Sequence, residues 1–266
     1  MQRDDTHVTC IRHQEEFMSK VQVESKAYKQ ELQREAEKRK RTQWLMGWSL
    51  AIILVGFVSL IIYSVASKSS PSGHIIDAKE FQYDQQPALG YKDAPIQIVE
   101  FADFKCPACM QFDKTIIPQL KKDFIDNGTV QLHFINFPII SPNADSTTAA
   151  LAGEAVYHQS GEEFWKFYDA VYAKQGDEQT NWATEDYLVQ IAKDANLKLD
   201  FDKLRKDIHD KTYAKDVSSD KAIAAKLGVN GTPTIYINGK AVSGPDTFNY
   251  NAIKNAILMA KDEPVK

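Results

Sequence analysis

From residue 44 to residue 66 the chain reads WLMGWSLAIILVGFVSLIIYSVA, almost continuously apolar, and no charge stands between Thr42 and Ser67. Coiled as a helix at ~1.5 Å per residue, that run is about 34 Å long, enough to cross a ~30 Å hydrocarbon layer. It predicts a transmembrane helix, with Trp44 and Trp48 at one interface and Tyr63 at the other. Lys38, Arg39, Lys40 and Arg41 stand immediately before the run, and only Lys68 follows closely. That asymmetry puts the N-terminus in the cytoplasm and everything after Ser67 outside. A cleavable signal peptide competes with this reading, because Ser64-Val65-Ala66 has the small-x-small form of a cleavage site. More than forty residues precede the run, and it exceeds a usual signal core; both lengths favour an uncut anchor.

On either side the pattern changes. Residues 1–43 form a charged tail; 24–41 lacks Gly and Pro and carries Glu35/Arg39 and Glu37/Arg41 at helical i,i+4 spacing, which predicts a solvated juxtamembrane helix. Residues 67–73 (SKSSPSG) read as a flexible linker, part of a 67–88 linker and N-terminal extension. The main outer domain runs from 89 to 266. Within it, 96–101 (IQIVEF) is a short buried strand, followed by a helix over 110–124 that Pro107 helps to open and Pro118 kinks or splits. Val130, Leu132 and Phe134 alternate with their neighbours in a second strand, which completes a βαβ unit.

From about 143 to 227 the period becomes helical. Phe164, Phe167, Tyr168 and Val171 form one stripe, Leu188, Ile191, Ala192 and Ala195 another, and Phe201, Leu204 and Ile208 a shorter third. Such stripes are read as core. Strands return at 234–237 and 241–243 around Asn238-Gly239, a strong hairpin signal, and Ile253, Ala256, Ile257 and Ala260 mark a closing helix. The chain shows neither an internal repeat nor a low-complexity tract.

Composition narrows the function. Of 266 residues, 43% are hydrophobic and 26% charged, which fits a globular chain and not a disordered one. The net charge of −4 argues against a nucleic-acid binder, which normally carries a strong basic excess. Three cysteines are too few for a disulfide-stapled scaffold or an all-cysteine zinc site. Cys10 falls on the reducing side, as a free thiol. The other two form the one reactive constellation, Cys106-Pro107-Ala108-Cys109.

Its position matters more than its spelling. A C-x-x-C that follows a strand and opens a helix meets unpaired backbone N–H groups and the positive end of the helix dipole, and both stabilise a thiolate. In such motifs the first thiol drops from ~8.5 to between ~3.5 and ~7. Zinc would need two more ligands, and haem attachment would need His where Met110 stands. A permanently closed structural disulfide closes too little chain to stabilise much. Redox activity is the reading that remains.

Val99 to Phe112 (VEFADFKCPACMQF) resembles the active-site stretch of DsbA-like thiol-disulfide oxidoreductases, and Gly228 to Thr234 (GVNGTPT) resembles their cis-proline loop. Asn136 to Ala144 (NFPIISPNA), with the helical block through Gln175, is similar to their inserted domain. The resemblance spans about 89–260, and the anchored arrangement is similar to the BdbD-type members of Gram-positive bacteria. It implies an α/β, thioredoxin-like fold with a helical insertion at about 143–227, preceded by a single transmembrane helix. Carried over, Cys106 matches the attacking cysteine and Cys109 the resolving one. Thr232-Pro233 matches the cis bond whose backbone pairs with a substrate strand. Glu100 matches a buried acid that exchanges a proton with Cys109; on sequence alone it also fits a solvent-facing strand residue. The active-site dipeptide Pro107-Ala108 lacks the histidine of the best-known pattern, which implies a milder shift and a less oxidising disulfide. His133 reads as an ordinary strand residue.

The implied activity is an extracytoplasmic protein-disulfide oxidoreductase that donates disulfides to unfolded secreted or surface proteins. A quinone-linked DsbB/BdbC-like membrane protein would reoxidise it, with no cofactor beyond the Cys106–Cys109 disulfide. A reductase or isomerase of the same fold, and a membrane redox sensor, stand as alternatives. A structural metal is left open: Asp177, Glu178, Asp186 and Asp216 show no ligand spacing.

Overall fold

The computed structural model describes residues 75–262, with Trp44, Gly47 and Gly56 ahead of them. The tail, the apolar run and the 67–73 linker, Cys10 included, otherwise lie outside the described residues. Among the described residues no helix is long and apolar enough to cross a membrane. In chain order the elements are β1 (Ala88–Leu89), β2 (Ile96–Ala102), α1 (Pro107–Thr115) and α2 (Ile117–Leu120), which runs into a π-helical turn at Lys121–Ile125. Next come β3 (Val130–Asn136) and five helices: α3 (Asp145–Gln159), α4 (Gly161–Ala173), α5 (Glu185–Asp194), α6 (Phe201–His209) and α7 (Ala214–Lys226). The chain closes with β4 (Thr234–Ile237), β5 (Lys240–Ala241) and α8 (Tyr250–Asp262).

One five-stranded sheet, in the order β1-β3-β2-β4-β5, holds these elements together. β2 and β3 run parallel over their full seven residues, whereas the other pairs are antiparallel. Both faces are covered, so β2 and β3 are buried on both sides, with Glu100, Gln131 and His133 among their apolar residues. Period two then sorts the side chains. Ile96, Ile98 and Ala102 face α1, the insertion helices and α8, while Val99 and Phe101 face Phe81 and the Ile223–Leu227 end of α7. Glu100 shares the parity of Ile98 and Ala102, so its carboxyl lies on the same face as the helix that carries Cys109.

Local rules account for most element ends. The long helix expected at 110–124 is split: α1 ends at Thr115, and Pro118 occupies the first turn of α2, where its missing N–H costs nothing. Ser160, Thr184 and Asp200 cap α4, α5 and α6 by accepting backbone N–H bonds. β5 is shorter than the strand expected at 241–243. The two-residue turn starts pairing at Lys240, and a 3-10 turn at Gly244–Asp246 soon leads the chain away.

The extension ahead of residue 89 packs against the sheet. Phe81 is fully buried between the rings of Phe101 and Tyr236, and the Ile76 N–H donates to the Gly239 carbonyl at 2.9 Å. Gly239 has φ +78°, and a Cβ there would stand 2.0 Å from the Ile76 carbonyl oxygen. Gly239→Ala should therefore cost about 1–3 kcal/mol, from the backbone conformation and from expulsion of the Ile76 segment. Urea unfolding of the two proteins measures this, and equal midpoints would contradict the role given to the hairpin.

Candidate active site

β2 delivers the chain to the site. After Ala102 the segment 103–105 turns, the Cys106 N–H closes on the Asp103 carbonyl at 2.9 Å, and Pro107 begins α1. Cys106 is the N-cap residue of that helix, in extended backbone conformation, with 5% of its surface exposed. Cys109, one turn further on, is fully buried, and both are free thiols. The expected strand-to-helix setting is present.

This placement pushes the two thiols apart. A hydrogen bond from the Cys109 thiol does most to lower Cys106, to about 6. Burial opposes the drop, while the Thr232 side chain and the N–H groups of Cys109 and Ala108 assist it. Cys109 moves the other way, driven well above the ordinary cysteine range by burial and then by Cys106 beside it. At neutral pH the pair therefore holds a thiolate at the start of the helix over a fully buried thiol. A value near 6 lies in the upper part of the ~3.5–7 range of such motifs, in keeping with Ala108 where a histidine would add charge.

The loop facing Cys106 comes from the far end of the domain. The Thr232–Pro233 bond is cis, and the Thr232 carbonyl oxygen lies 3.4 Å from the Cys106 sulfur. The Thr232 hydroxyl is buried without another partner, which leaves it free to donate to the sulfur. Thr234, the first residue of β4, pairs with Phe101 of β2, so the sheet itself sets the loop against the helix start.

Glu100 is fully buried beneath the pair and is not a solvent-facing residue. Desolvation raises its carboxyl to about 8. A 3.0 Å hydrogen bond from the Tyr168 hydroxyl opposes the rise, and the charges of Asp113 and Cys106 add to it. Its second oxygen has no partner. Glu100 is thus a neutral acid at neutral pH, holding a proton near Cys109, whose own rise it reinforces. Asp113 on α1 is also pushed up, to about 7, by burial and then by Asp169.

Several side chains that shape the site did not stand out in the sequence. Tyr168, a core residue by its helical period, is core and also holds Glu100. The buried Asp103 carboxylate accepts 2.9 Å bonds from the N–H groups of Lys105, Ile139 and Ile140 and from the Ser146 hydroxyl. The ammonium of Lys105, also buried, reaches Asp145 at 2.7 Å and the Thr180 carbonyl at 2.8 Å. Asp103 and Lys105 adjoin the motif, and their charge within a buried strand end was the available signal. His133 is buried on the opposite face, where it stacks on Tyr83 and lies 2.6 Å from Gln97; burial lowers it to about 4, so it stays neutral.

Of the four acids considered for a metal, only Asp216 joins a cluster of ligand-type side chains. It meets Glu154 and His158, with ligand atoms within 4.8 Å of one another. Asp220 and Gln86 line the same 460 Å³ cavity, on the side of the insertion. Asp186 pairs instead with Arg205, and Asp177 caps its own turn.

Comparison with known proteins places these features in a family. The family model described as thioredoxin matches residues 82–257. A probable disulfide bond formation protein D of Bacillus cereus is 42% identical over 210 residues, covering 79% of this chain and 92% of that protein. The crystal structure of oxidised BdbD from Bacillus subtilis superposes with a TM-score of 0.66 at 33% identity, covering 74% of this chain and 100% of that one. Chlamydia trachomatis DsbA shares the fold, with a TM-score of 0.59 at 23% identity over 72% of this chain and 97% of the other.

The separation of the two thiols has a direct readout. Alkylation of the reduced protein by iodoacetamide should mark Cys106 with half-maximal rate near pH 6 and leave Cys109 unmodified. Because the folded thiol lies below its unfolded value of 9.0, the stability advantage of the reduced protein over Cys106→Ala should grow as pH rises from about 6 and reach its full size above about 9, the raised carboxyls of Glu100 and Asp113 being common to both proteins. A midpoint near that of free cysteine, with a pH-independent difference between the two proteins, would contradict the assignment.

Proposed function

We propose that this chain, which belongs to the thioredoxin-like family of disulfide bond formation protein D and is a protein-disulfide oxidoreductase, donates the Cys106–Cys109 disulfide to folding proteins outside the cytoplasm. The observation that carries the reading is the sulfur of Cys106 at the start of α1, lowered to about 6 while Cys109 is driven up. A good leaving group whose reduced form is stabilised makes the corresponding disulfide oxidising.

In the oxidised enzyme a substrate thiolate attacks Cys106, and the bond between Cys106 and Cys109 breaks. The departing Cys109 sulfur takes a proton, for which Glu100 is the nearby store. A second substrate thiolate then attacks the substrate sulfur of the mixed disulfide and expels Cys106 as a thiolate. The substrate is oxidised by two electrons and the enzyme reduced by two; one proton ends on Cys109 and the other in solvent. The loop at Thr232-Pro233 is the surface beside Cys106 against which an extended substrate segment pairs.

The remaining parts of the reading rest on the sequence. The apolar run at 44–66, with Lys38 to Arg41 before it, supports a single-pass anchor with the catalytic domain outside the cell. Reoxidation then falls to a quinone-linked DsbB/BdbC-like membrane protein. Two partners confined to one bilayer meet at raised effective concentration without any new contact. The 1–43 tail carries no catalytic motif, so deletion of Met1 to Lys40 should leave disulfide formation intact, whereas a redox sensor would lose its output.

Oxidation of a reduced protein and reduction of insulin, assayed side by side on the full chain, test the reaction. Cys106→Ala should abolish both activities, and Cys109→Ala should accumulate a mixed disulfide that a non-reducing gel resolves. A reduction potential near the ~−270 mV of thioredoxin would reject the donating direction. Glu100→Gln should slow formation of the mixed disulfide by about tenfold. That is less than the ~10²-fold usual for a positioned acid, because a thiol, even one raised by burial, is more acidic than the alcohol leaving groups such an acid commonly serves. An unchanged rate and pH profile in that variant would remove Glu100 from the proton path.

A further inference from the structure

The turn that presents Cys106 takes part of its support from the insertion. The Tyr172 hydroxyl donates to the Asp103 carbonyl at 3.3 Å, and the side chain of Lys105 is anchored on Asp145 and Thr180. Between them, one amide group does two jobs. The Gln175 Nε2 donates to the Phe104 carbonyl at 2.8 Å and to the Cys106 carbonyl at 3.1 Å. Gln175 opens the strap of residues 174–184 that joins α4 to α5, and this strap is tied down at both ends. At its near end the indole of Trp182 lies on Gly176, so close that a Cβ there would stand 2.7 Å from the ring. At its far end the Ala183 N–H donates to Asp145 at 3.1 Å.

The Cys106 carbonyl also accepts the Met110 N–H of α1 at 3.2 Å, so the Gln175 amide ties the turn at Phe104 to the first turn of the helix. A slackened turn would let the sulfur drift from the N–H groups that hold its charge, in a site where dielectric screening is weak. We propose that Gln175 is a positioning residue for the disulfide exchange, binding both carbonyls so that the Cys106 sulfur faces mainly the N–H groups at the start of α1. It touches neither substrate nor the reacting atoms and acts only through the turn. The other charged or titratable groups around Cys106 are Cys109 from α1 and Glu100 from β2, with Asp113 behind it. The cis-proline loop contributes the neutral Thr232, the Lys105 charge is matched by Asp145, and the strap's own acids Asp177 and Glu178 are exposed.

The inference rests on Cys106 being the attacking thiol, and the test separates the two ideas. Gln175→Met keeps the volume of the side chain and removes its donors, and Gly176→Ala displaces the same amide by pushing on Trp182. In the reduced full chain, the pH profile of Cys106 alkylation should move up by about one unit in Gln175→Met, a tenfold loss of thiolate on the acid side of the curve. Gly176→Ala should move it the same way by less. The equilibrium with glutathione should shift toward the enzyme disulfide by up to tenfold in Gln175→Met, about 30 mV for this two-electron couple. Unchanged profiles in both variants, with or without a lower melting temperature, would leave Gln175 a purely structural contact and overturn the proposal. Preferential labelling of Cys109 in the unsubstituted protein would instead overturn the reading of Cys106 itself.

Discussion

An anion held at the start of a helix governs this molecule. The Cys106 sulfur lies where β2 has ended and α1 begins, within reach of N–H groups that no carbonyl of the helix satisfies. Its partner is a buried thiol one turn along, which donates a hydrogen bond to the thiolate and is pushed upward by the charge it helps to hold. Each cysteine therefore amplifies the asymmetry of the other. A symmetric pair, both half-exposed, would have no preferred site of attack and no preferred leaving group.

The rest of the fold maintains that asymmetry. Helices cover the Glu100 face of the sheet, and this cover keeps water from Cys109 and keeps Glu100 protonated at neutral pH. The rings of Phe104, Phe134, Tyr168 and Tyr172 pack with centroids 4.8 to 6.2 Å apart, joining the active-site turn, β3 and α4 in one apolar block. The hydroxyls at the edges of that block are spent on the site: Tyr168 holds Glu100, and Tyr172 holds the carbonyl of Asp103. The insertion thus contributes core and positions chemistry with the same side chains.

The buried Lys105–Asp145 pair belongs to the same scheme. An ion pair taken out of water adds little net stability, and an apolar pair of similar volume would often serve the core as well. What it supplies is a fixed register between the turn before Cys106 and the strap after α4, because each oxygen of Asp145 is committed to a different donor. Asp103 does the same for the turn between β3 and α3. Polar side chains on both sides of Phe104 thereby lock the active-site cysteine to parts of the chain that are distant in sequence.

Rules that act over a few residues were enough to place the strand ending near Ala102, the helix opening at Pro107, the break at Pro118, the turn at Asn238-Gly239 and the redox pair itself. Alternation, proline chemistry and turn preference need only near neighbours, and for these elements the chain's own letters suffice. Glu100 could not be settled that way, since a strand covered on both faces and one open to water can carry the same residue. Tyr168 and Gln175 were equally silent, for they meet Glu100 and the Cys106 carbonyl across 68 and 69 residues of chain. Which carboxyl is dry, which thiol is charged and which amide holds the turn depend on distances that exist only after the insertion has folded back over the sheet, because burial and electrostatic fields are properties of packed space and not of adjacency along the chain.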